Sequence, residues 1–335
     1  MPESVLVTGG TGYVGGWVIA KLLGRGYDVR TTVRDLSKAD AVRSAVGTVI
    51  DPGERLSFVK ADLTHDEGWD EAARGVDYVL HVASPLGDES SNDVQALVVP
   101  ARDGTLRVLR AAAEAGVKRV VMTSAANAAS PSSYAEEGVT DETLWTGPDD
   151  PTLSPYRLSK TVAEKAAWDF MVAYDGPMTL TTILPGAVFG PVLTTSNMGS
   201  VRIIDRMVKG AMPGSPRIGL EIVDVRDLAE IHIRAMTSPQ AANERFLATG
   251  QFTWMRDMAT ILRDGLGEDG RKVKTRQLPD FAVRFASRFD PALKSITVSL
   301  GRRNQHSTAK AERLLDWKTR PTEETLIECA QSLKK

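Results

Sequence analysis

Two residues in the middle of the chain, Tyr156 and Lys160, have types and a spacing that suit proton transfer. On a helix, residues four positions apart share one face, so the phenol and the ammonium are expected to be neighbours. An unperturbed phenol has a pKa of about 10, and a nearby ammonium lowers that pKa because it favours the phenolate. Such a tyrosine can donate a proton to a carbonyl oxygen. The alternative is a chance pairing on a helix surface.

A second suggestive pattern lies near the start of the chain, where an apolar strand leads into glycines and then into a helical pattern. This order is typical of a dinucleotide phosphate site, in which the helix N-terminus offers N–H groups to the phosphates. Gly9 allows the tight turn, Gly12 lets the backbone approach a pyrophosphate, and Gly15 lets the helix pack close to the strand. The predicted cofactor contacts here are Gly9, Thr11, Gly12, Tyr13, Val14 and Gly15. The alternative is a glycine-rich turn without a ligand.

The end of the second strand indicates which dinucleotide binds. NAD enzymes usually have an acidic side chain at this strand end for the ribose 2′-hydroxyl, whereas Val33 occupies the position here. Arg34 follows, and its guanidinium suits a 2′-phosphate, with Lys38 adding charge. These residues predict NADP. Asp35 leaves an alternative open, because it could bind the ribose and favour NAD, or cap the following helix.

The third strand ends at a further candidate contact. Asp62 and Leu63 follow this strand directly, and we expect them beside the adenine. The alternative for Asp62 is an ordinary strand-end cap.

A framework of alternating strands and helices must position these residues. Predicted strands cover residues 4–8, 28–33, 56–60, 78–83, 117–123 and 179–184, with helices at 14–25, 38–46, 69–74, 101–114 and 157–174. Such alternation predicts an α/β fold: a Rossmann doubly wound parallel sheet with a smaller, partly helical C-terminal substrate domain. We assign residues 1–187 and 220–241 to the NADP-binding domain and residues 188–219 and 242–335 to the substrate-binding domain.

Composition excludes several other classes. The chain has 335 residues and a net charge of −2, which argues against a nucleic-acid or membrane surface as partner. The single cysteine, Cys329, has no partner for a disulfide, and the four histidines lack metal-ligand spacing, so no metal site is predicted. The first strand begins almost at once, so we expect no signal peptide and a soluble, cytoplasmic protein.

Taken together, these motifs resemble the extended short-chain dehydrogenase/reductase superfamily over nearly the whole chain. The sequence resembles in particular the branch of dihydroflavonol reductases, cinnamoyl-CoA reductases, yeast-type methylglyoxal and ketone reductases, and bacterial aldehyde or ketone reductases. The segments that carry this resemblance are residues 32–35, 81–85, 117–124, 141–145, 163–168 and 223–229. The resemblance implies NADP(H), with Arg34 on its 2′-phosphate and with Tyr156 and Lys160 as catalytic and cofactor contacts. The further cofactor contacts that it implies are Val82, Ala83, Ser84, Thr123, Pro185, Gly186, Val188 and Ser200.

One position departs from the family pattern. The catalytic serine of the family usually ends a Thr-Ser-Ser run, but the run here reads Thr123-Ser124-Ala125. Loss of such a donor typically costs about 2.7–4 kcal/mol of transition-state stabilisation. We expect Ser124 to be the first candidate for the missing hydroxyl, with Thr123, Asn127 and Ser130 as nearby alternatives. A catalytically weak protein is the remaining possibility.

The leading functional prediction is an NADPH-dependent carbonyl reductase that acts reversibly on a small ketone or aldehyde, as a monomer or homodimer. One alternative is an epimerase, dehydratase or sterol-type dehydrogenase on the same scaffold. Another, suggested by Ala125, is a weakly catalytic NADP-binding sensor. The natural substrate is not predicted, because its contacts lie on loops.

Overall fold

A computed structural model of the protein describes residues 2–85, 94–131, 137–151, 153–194, 198–289 and 297–334. The strands in the described residues are β1 (Ser4–Thr8), β2 (Asp28–Val33), β3 (Leu56–Lys60), β4 (Tyr78–His81), β5 (Arg119–Thr123), β6 (Gly138–Thr140), β7 (Thr179–Pro185), β8 (Ala187–Phe189), β9 (Gly219–Asp224), β10 (Glu244–Ala248), β11 (Gln251–Trp254) and β12 (Asn304–His306). The α-helices are α1 (Tyr13–Gly24), α2 (Ala39–Gly47), α3 (Trp69–Ala73), α4 (Gln95–Glu114), α5 (Pro155–Val172), α6 (Val201–Val208), α7 (Val225–Thr237), α8 (Met255–Gly265), α9 (Asp280–Ala286), α10 (Ala309–Leu315) and α11 (Thr322–Ser332).

The central sheet has seven parallel strands in the order β10-β7-β5-β4-β1-β2-β3. Helices α1, α2, α7 and α10 cover one face, and α3, α4 and α5 cover the other. Strands β1, β4 and β5 are largely apolar, as parallel strands buried on both faces usually are. The predicted Rossmann doubly wound fold is confirmed. Because the strands run in one direction, their carboxyl ends meet at one edge, where open α/β sheets bind ligands.

A smaller part of the molecule lies beyond this edge. It contains the three-stranded sheet β11-β9-β8, and its core is formed by apolar residues of α6, α8, α9 and α11. A parallel pair, β12 and β6, links a C-terminal segment to the loop that follows β5. Among the described residues, no helix is both long and apolar enough to cross a membrane.

The strand β10 lies beyond the predicted domain boundary at residue 241, and the division into two domains stays a prediction. Residues 244–248 pair with β7 and extend the central sheet, whereas β9, assigned to the NADP-binding domain, pairs with β8 and β11 in the smaller sheet. Arg245 is buried within β10 and interrupts its short apolar run, so the sequence pattern did not indicate a strand there.

Candidate active site

The glycine loop between β1 and α1 forms a close-fitting turn. Gly9 has a φ of +77°, in the left-handed region that favours glycine, and a Cβ there would lie 3.0 Å from that of Ala83. A Cβ on Gly15 would lie 2.5 Å from the carbonyl oxygen of Gly9. The N–H of Gly12 donates to the same oxygen at 2.9 Å. Glycine at these positions therefore lets α1 begin directly against the end of β1, as the sequence predicts.

A pocket of about 550 Å³ opens beside this loop. The predicted cofactor residues that line it are Thr11, Gly12, Tyr13, Arg34 and Lys38. The structure thus places the start of α1 and the cations that follow β2 around one space. Such a space suits a phosphate-bearing ligand, because helix N–H groups and cations converge on it.

One wall of this pocket is apolar and was not identified from the sequence. It is formed by Ala41, Val42, Ala45 and Val46 on one face of α2, together with residues 193 and 194. The spacing of the four helical residues indicates an apolar stripe, but such a stripe normally faces a core and gives no sign of a ligand.

Asp35 lines the same pocket but serves as a cap. Its Oδ1 accepts a hydrogen bond from the N–H of Ser37 at 2.9 Å, at the start of a short 3-10 turn. This backbone bond is the main cause that lowers the pKa of Asp35 below its usual value. Of the two roles left open for Asp35, capping is therefore the one observed.

Asp62 also caps a turn. Its Oδ1 accepts bonds from the N–H of Thr64 at 2.9 Å and from the Thr64 hydroxyl at 2.8 Å. Burial alone would raise the pKa of Asp62, but these bonds and the charge of Arg34 outweigh it and lower the pKa. Contact of Asp62 and Leu63 with adenine remains a prediction.

Hydrogen bonds connect the end of β4 to the end of β1, beside the glycine loop. The Thr8 hydroxyl accepts a bond from the N–H of Ala83 at 3.0 Å and contacts Nδ1 of His81 at 2.9 Å. Burial lowers the pKa of His81 to about 3, so this imidazole is neutral near pH 7. Ala83 thus lies against Gly9, between Val82 and Ser84, at the edge where the resemblance expects cofactor contacts.

The helix α5 presents Tyr156 and Lys160 at this edge. Ser154 caps the helix, accepting a bond from the N–H of Arg157 at 3.3 Å, and Pro155 occupies the first turn. Lys160 is 6% exposed, and its ammonium donates to the carbonyl oxygen of Thr123 at 3.2 Å. Desolvation lowers the pKa of Lys160 to about 8, against the opposing charge of Glu164.

The pKa of Tyr156 corrects one sequence expectation. Tyr156 is 42% exposed, yet desolvation raises the pKa of its phenol above the usual value. The lowering expected from Lys160 is not observed. Desolvation is the cause that acts on the phenol, and the Lys160 ammonium donates to the Thr123 carbonyl.

The hydroxyls near Ala125 are already engaged. Ser124 donates to Oε2 of Glu164 at 2.7 Å, and the Thr123 hydroxyl lies 2.7 Å from Nε2 of His232. The Ser124 hydroxyl has a single proton and uses it in the hydrogen bond to a buried carboxylate. This arrangement therefore opposes the prediction that Ser124 supplies the missing donor.

Ser130 and Asn127 differ in what their side chains can still donate. Ser130 donates to the carbonyl oxygen of Ala126 at 2.9 Å and lies 2.9 Å from Nε2 of His306. Asn127 is exposed, and its carboxamide makes no hydrogen bond to the residues that the structure describes. Asn127 is thus the candidate whose side chain still has donors to offer.

The remaining predicted contacts follow β7. Pro185 ends this strand, Val188 lies in β8, and a Cβ on Gly186 would lie 2.4 Å from the carbonyl oxygen of Glu221. Ser200 directly precedes α6, in the smaller part of the molecule. In the described part of the chain, no group of histidine, cysteine or acidic residues could hold a metal ion.

Comparison with known proteins identifies the family. The NAD dependent epimerase/dehydratase family model matches residues 5–248. Cinnamoyl-CoA reductase 1 of Petunia hybrida is 38% identical over 265 residues, covering 78% of this chain and 76% of the relative. Dihydroflavonol 4-reductase of Zea mays is 34% identical over 270 residues, covering 78% and 74%.

Solved structures agree on the fold. Yeast methylglyoxal/isovaleraldehyde reductase Gre2, complexed with NADPH, has a TM-score of 0.82 at 23% identity and covers 99% of this chain and 98% of that one. Gre2 of Candida albicans, also in complex with NADPH, has a TM-score of 0.80 at 26% identity and covers 99% of both chains. The chain belongs to the NAD dependent epimerase/dehydratase family, as a member of the extended short-chain dehydrogenase/reductases.

Proposed function

We propose that the protein reduces the carbonyl group of a ketone or aldehyde with hydride from NADPH, reversibly, with Tyr156 as the proton donor. The protein is an NADP-dependent oxidoreductase, as its family and its reductase relatives indicate. The observation that carries the finer proposal is one shared edge of the sheet. This edge holds the glycine loop, the cations of the pocket, and the tyrosine and lysine of α5.

The residues around the pocket fit an NADP dinucleotide. The close approach of Gly9 to Ala83 and of Gly15 to the Gly9 carbonyl leaves no room for a Cβ, so glycine is needed for α1 to begin beside the pocket. Arg34 and Lys38 border the same pocket and suit a 2′-phosphate. When bound, the cofactor supplies the hydride, while the protein supplies the proton and the orientation of the reacting groups.

The chemistry assigned to α5 follows from charge. Hydride addition leaves negative charge on the substrate oxygen, which must be stabilised and then protonated. Tyr156 is partly exposed and can donate that proton. Lys160, fixed on the Thr123 carbonyl, places a positive charge one helical turn away from the phenol.

Replacing Tyr156 with Phe tests this assignment. Because Phe keeps the ring and removes only the proton donor, we expect ketone and aldehyde reduction to fall by at least about 100-fold with NADPH affinity nearly unchanged. The measurement is turnover of a broad carbonyl panel, with NADPH binding followed by fluorescence. Tyr174→Phe is the matched control, since Tyr174 stacks on Phe170 behind the helix. Activity of the Tyr156 variant within about threefold of the parent would reject the mechanism.

The second candidate function is an NADP-binding sensor with little turnover, which Ala125 favours because an alanine offers no donor. The same panel separates the two functions. Tight NADPH binding without turnover of any carbonyl compound would favour the sensor.

A further inference from the structure

A buried ionic cluster lies on α5, one helical turn after Lys160. Glu164 is fully buried, and its Oε1 accepts bonds from the Thr182 hydroxyl at 2.7 Å and from Nε of Arg245 at 2.8 Å. Its Oε2 accepts a hydrogen bond from the Ser124 hydroxyl at 2.7 Å. The carboxylate therefore joins α5 to β5, β7 and β10 at one point.

Arg245, the partner of Glu164, also makes several hydrogen bonds. Its Nη1 donates to the carbonyl oxygens of Glu142 at 2.6 Å and Leu144 at 3.0 Å. Its guanidinium carbon lies 3.6 Å from the centre of the Trp145 ring. The ion pair is thus buried, and both charged groups have hydrogen-bond partners that compensate for the loss of water.

The cluster lies one helical turn from the catalytic lysine. Lys160 and Glu164 are four residues apart on α5 and share a helix face. Ser124 immediately follows Thr123, whose carbonyl receives the Lys160 ammonium. Glu164 therefore reaches the lysine in two ways, through its charge and through the end of β5.

We propose that Glu164 is a positioning residue of the reductase: its buried carboxylate, oriented by Arg245, is the countercharge of Lys160 and fixes, through Ser124, the strand end to which Lys160 binds. This assignment rests on the proposed function, in which Lys160 acts. It also gives Ser124 a role that needs no contact with substrate.

The other ionisable groups in this part of the molecule do not supply this countercharge. Burial lowers the pKa of His81 to about 3 and that of His232 to about 4, so both are neutral near pH 7. Tyr156 is neutral too, because desolvation raises its pKa. The Glu142 carboxylate is used elsewhere, because it accepts a hydrogen bond from the N–H of Leu247. Among the described residues, Glu164 is the carboxylate whose charge raises the pKa of Lys160.

Two substitutions test the proposal with opposite expected signs. Glu164→Gln removes the countercharge and leaves Arg245 behind, so we expect the titration midpoint of Lys160 to fall by about one pH unit. Arg245→Gln leaves Glu164 uncompensated, so we expect the midpoint to rise. The midpoint is read by NMR of ¹³Cε-labelled lysine in the cofactor-free protein, with the Lys160 signal assigned by Lys160→Met. The alkaline limb of the kcat/KM profile should move in the same two directions.

Controls separate this role from a purely structural one. Glu230→Gln removes a carboxylate paired with Lys21 and Arg25 in another part of the molecule, and it should leave the Lys160 midpoint unchanged. Glu164→Asp keeps the charge and should restore the midpoint and the alkaline limb. If Glu164→Gln does not fold, the upward shift in Arg245→Gln decides the question alone.

Unchanged midpoints, or shifts of the same sign in both variants, would overturn the proposal. The lysine titration requires no substrate. Opposite shifts in a protein that reduces no carbonyl compound would therefore support the charge assignment and count against the proposed function.

Discussion

At the scale of single residues, the chemistry of the site depends on which donors remain free around Ala125. A substrate oxygen that gains charge needs a second donor besides Tyr156. Thr123, Ser124 and Ser130 all have protein partners for their hydroxyls. Thr123 and Ser124 point to opposite faces of the sheet, toward His232 and Glu164, as adjacent residues of a regular strand do.

Substitutions of Ser124 and its neighbours should locate the second donor. Because Asn127 is exposed with an unengaged carboxamide, we expect Asn127→Ala to lower kcat by about 10-fold or more, and Ala125→Ser to raise it. Ser124→Ala should lower kcat less than Asn127→Ala does. The measurement is steady-state turnover of one good ketone at saturating NADPH. A larger loss in Ser124→Ala than in Asn127→Ala, with the Lys160 titration midpoint unchanged, would instead favour Ser124 as the donor over its positioning role.

Cofactor choice is also decided by single residues. Arg34→Ala removes the guanidinium that borders the pocket, and a charge-assisted bond contributes about 1.5–3 kcal/mol, so we expect the KM for NADPH to rise about 10- to 100-fold. The KM for NADH should change little, because NADH has no 2′-phosphate. Arg43→Ala, which removes an arginine of α2 that bonds the carbonyls of Gly53 and Leu56, is the matched control. Equal effects of Arg34→Ala on both cofactors would reject Arg34 as the residue that reads the phosphate.

At the scale of elements, the approach of α1 to the end of β1 shapes the pocket. Gly15→Ala places a Cβ 2.5 Å from the Gly9 carbonyl oxygen, so the helix must move away from the loop. Overpacking of this kind costs about 1–3 kcal/mol, and we expect NADPH affinity to fall at least about 10-fold. Thermal unfolding and NADPH fluorescence measure the two effects.

Gly47→Ala is the matched control for this substitution. Gly47 ends α2, and a Cβ there meets nothing within 4 Å. Alanine at this position should stabilise the protein slightly, since glycine costs about 0.5–1 kcal/mol in a helix. Similar losses of NADPH affinity in both variants would show that the close approach of α1 to the glycine loop does not determine NADPH affinity.

The elements also show how far sequence reasoning reaches. The bounds of β1, β2 and β3 agree with the predicted strands, because each is a short run rich in strand-forming residues between clear turn signals. Helix α4 begins at Gln95 rather than at residue 101, since a proline inside its first turns did not end it. The strand β10 was missed because Arg245, buried by its ion pair, breaks the apolar pattern.

The site was predictable to a different degree. Motifs with fixed spacing located the glycine loop and the pair on α5, because local geometry alone relates their residues. The partners of Ser124 and Lys160 were not predictable in this way. Glu164 meets Arg245 only when β10 joins the sheet, and that contact depends on tertiary structure.

At the scale of the whole molecule, ion pairs join the C-terminal segment to the Rossmann part. Arg320 binds Asp227 of α7 at 2.8 Å, and Arg226 contacts Asp224 at 2.7 Å and Glu328 of α11 at 2.6 Å. These pairs cross from α7 to the last helix, which belongs to the smaller core. The C-terminal segment is therefore held against the start of α7.

Buried histidines make the stability of this assembly depend on pH. Nδ1 of His232 lies 2.7 Å from the carbonyl oxygen of Leu228, so this nitrogen carries the proton, and Nε2 accepts from the Thr123 hydroxyl. Burial lowers the pKa of His232 to about 4, against about 6.5 in an unfolded chain. Between these two pKa values, the unfolded state therefore binds a proton that the folded state does not bind. Stability is retained above about pH 6.5 and is lost as the pH falls toward 4.

His232→Gln should reduce this loss of stability. One proton taken up only by the unfolded chain corresponds to about 2 kcal/mol between pH 7 and pH 5. We therefore expect the free energy of unfolding in urea to fall by about 2 kcal/mol less in the variant than in the parent over this range. His65→Gln is the control, because His65 is exposed and should leave the pH dependence unchanged. An identical loss in His232→Gln and the parent would mean that His232 already takes up its proton in the folded protein, so that its contacts with Thr123 and Leu228 survive protonation.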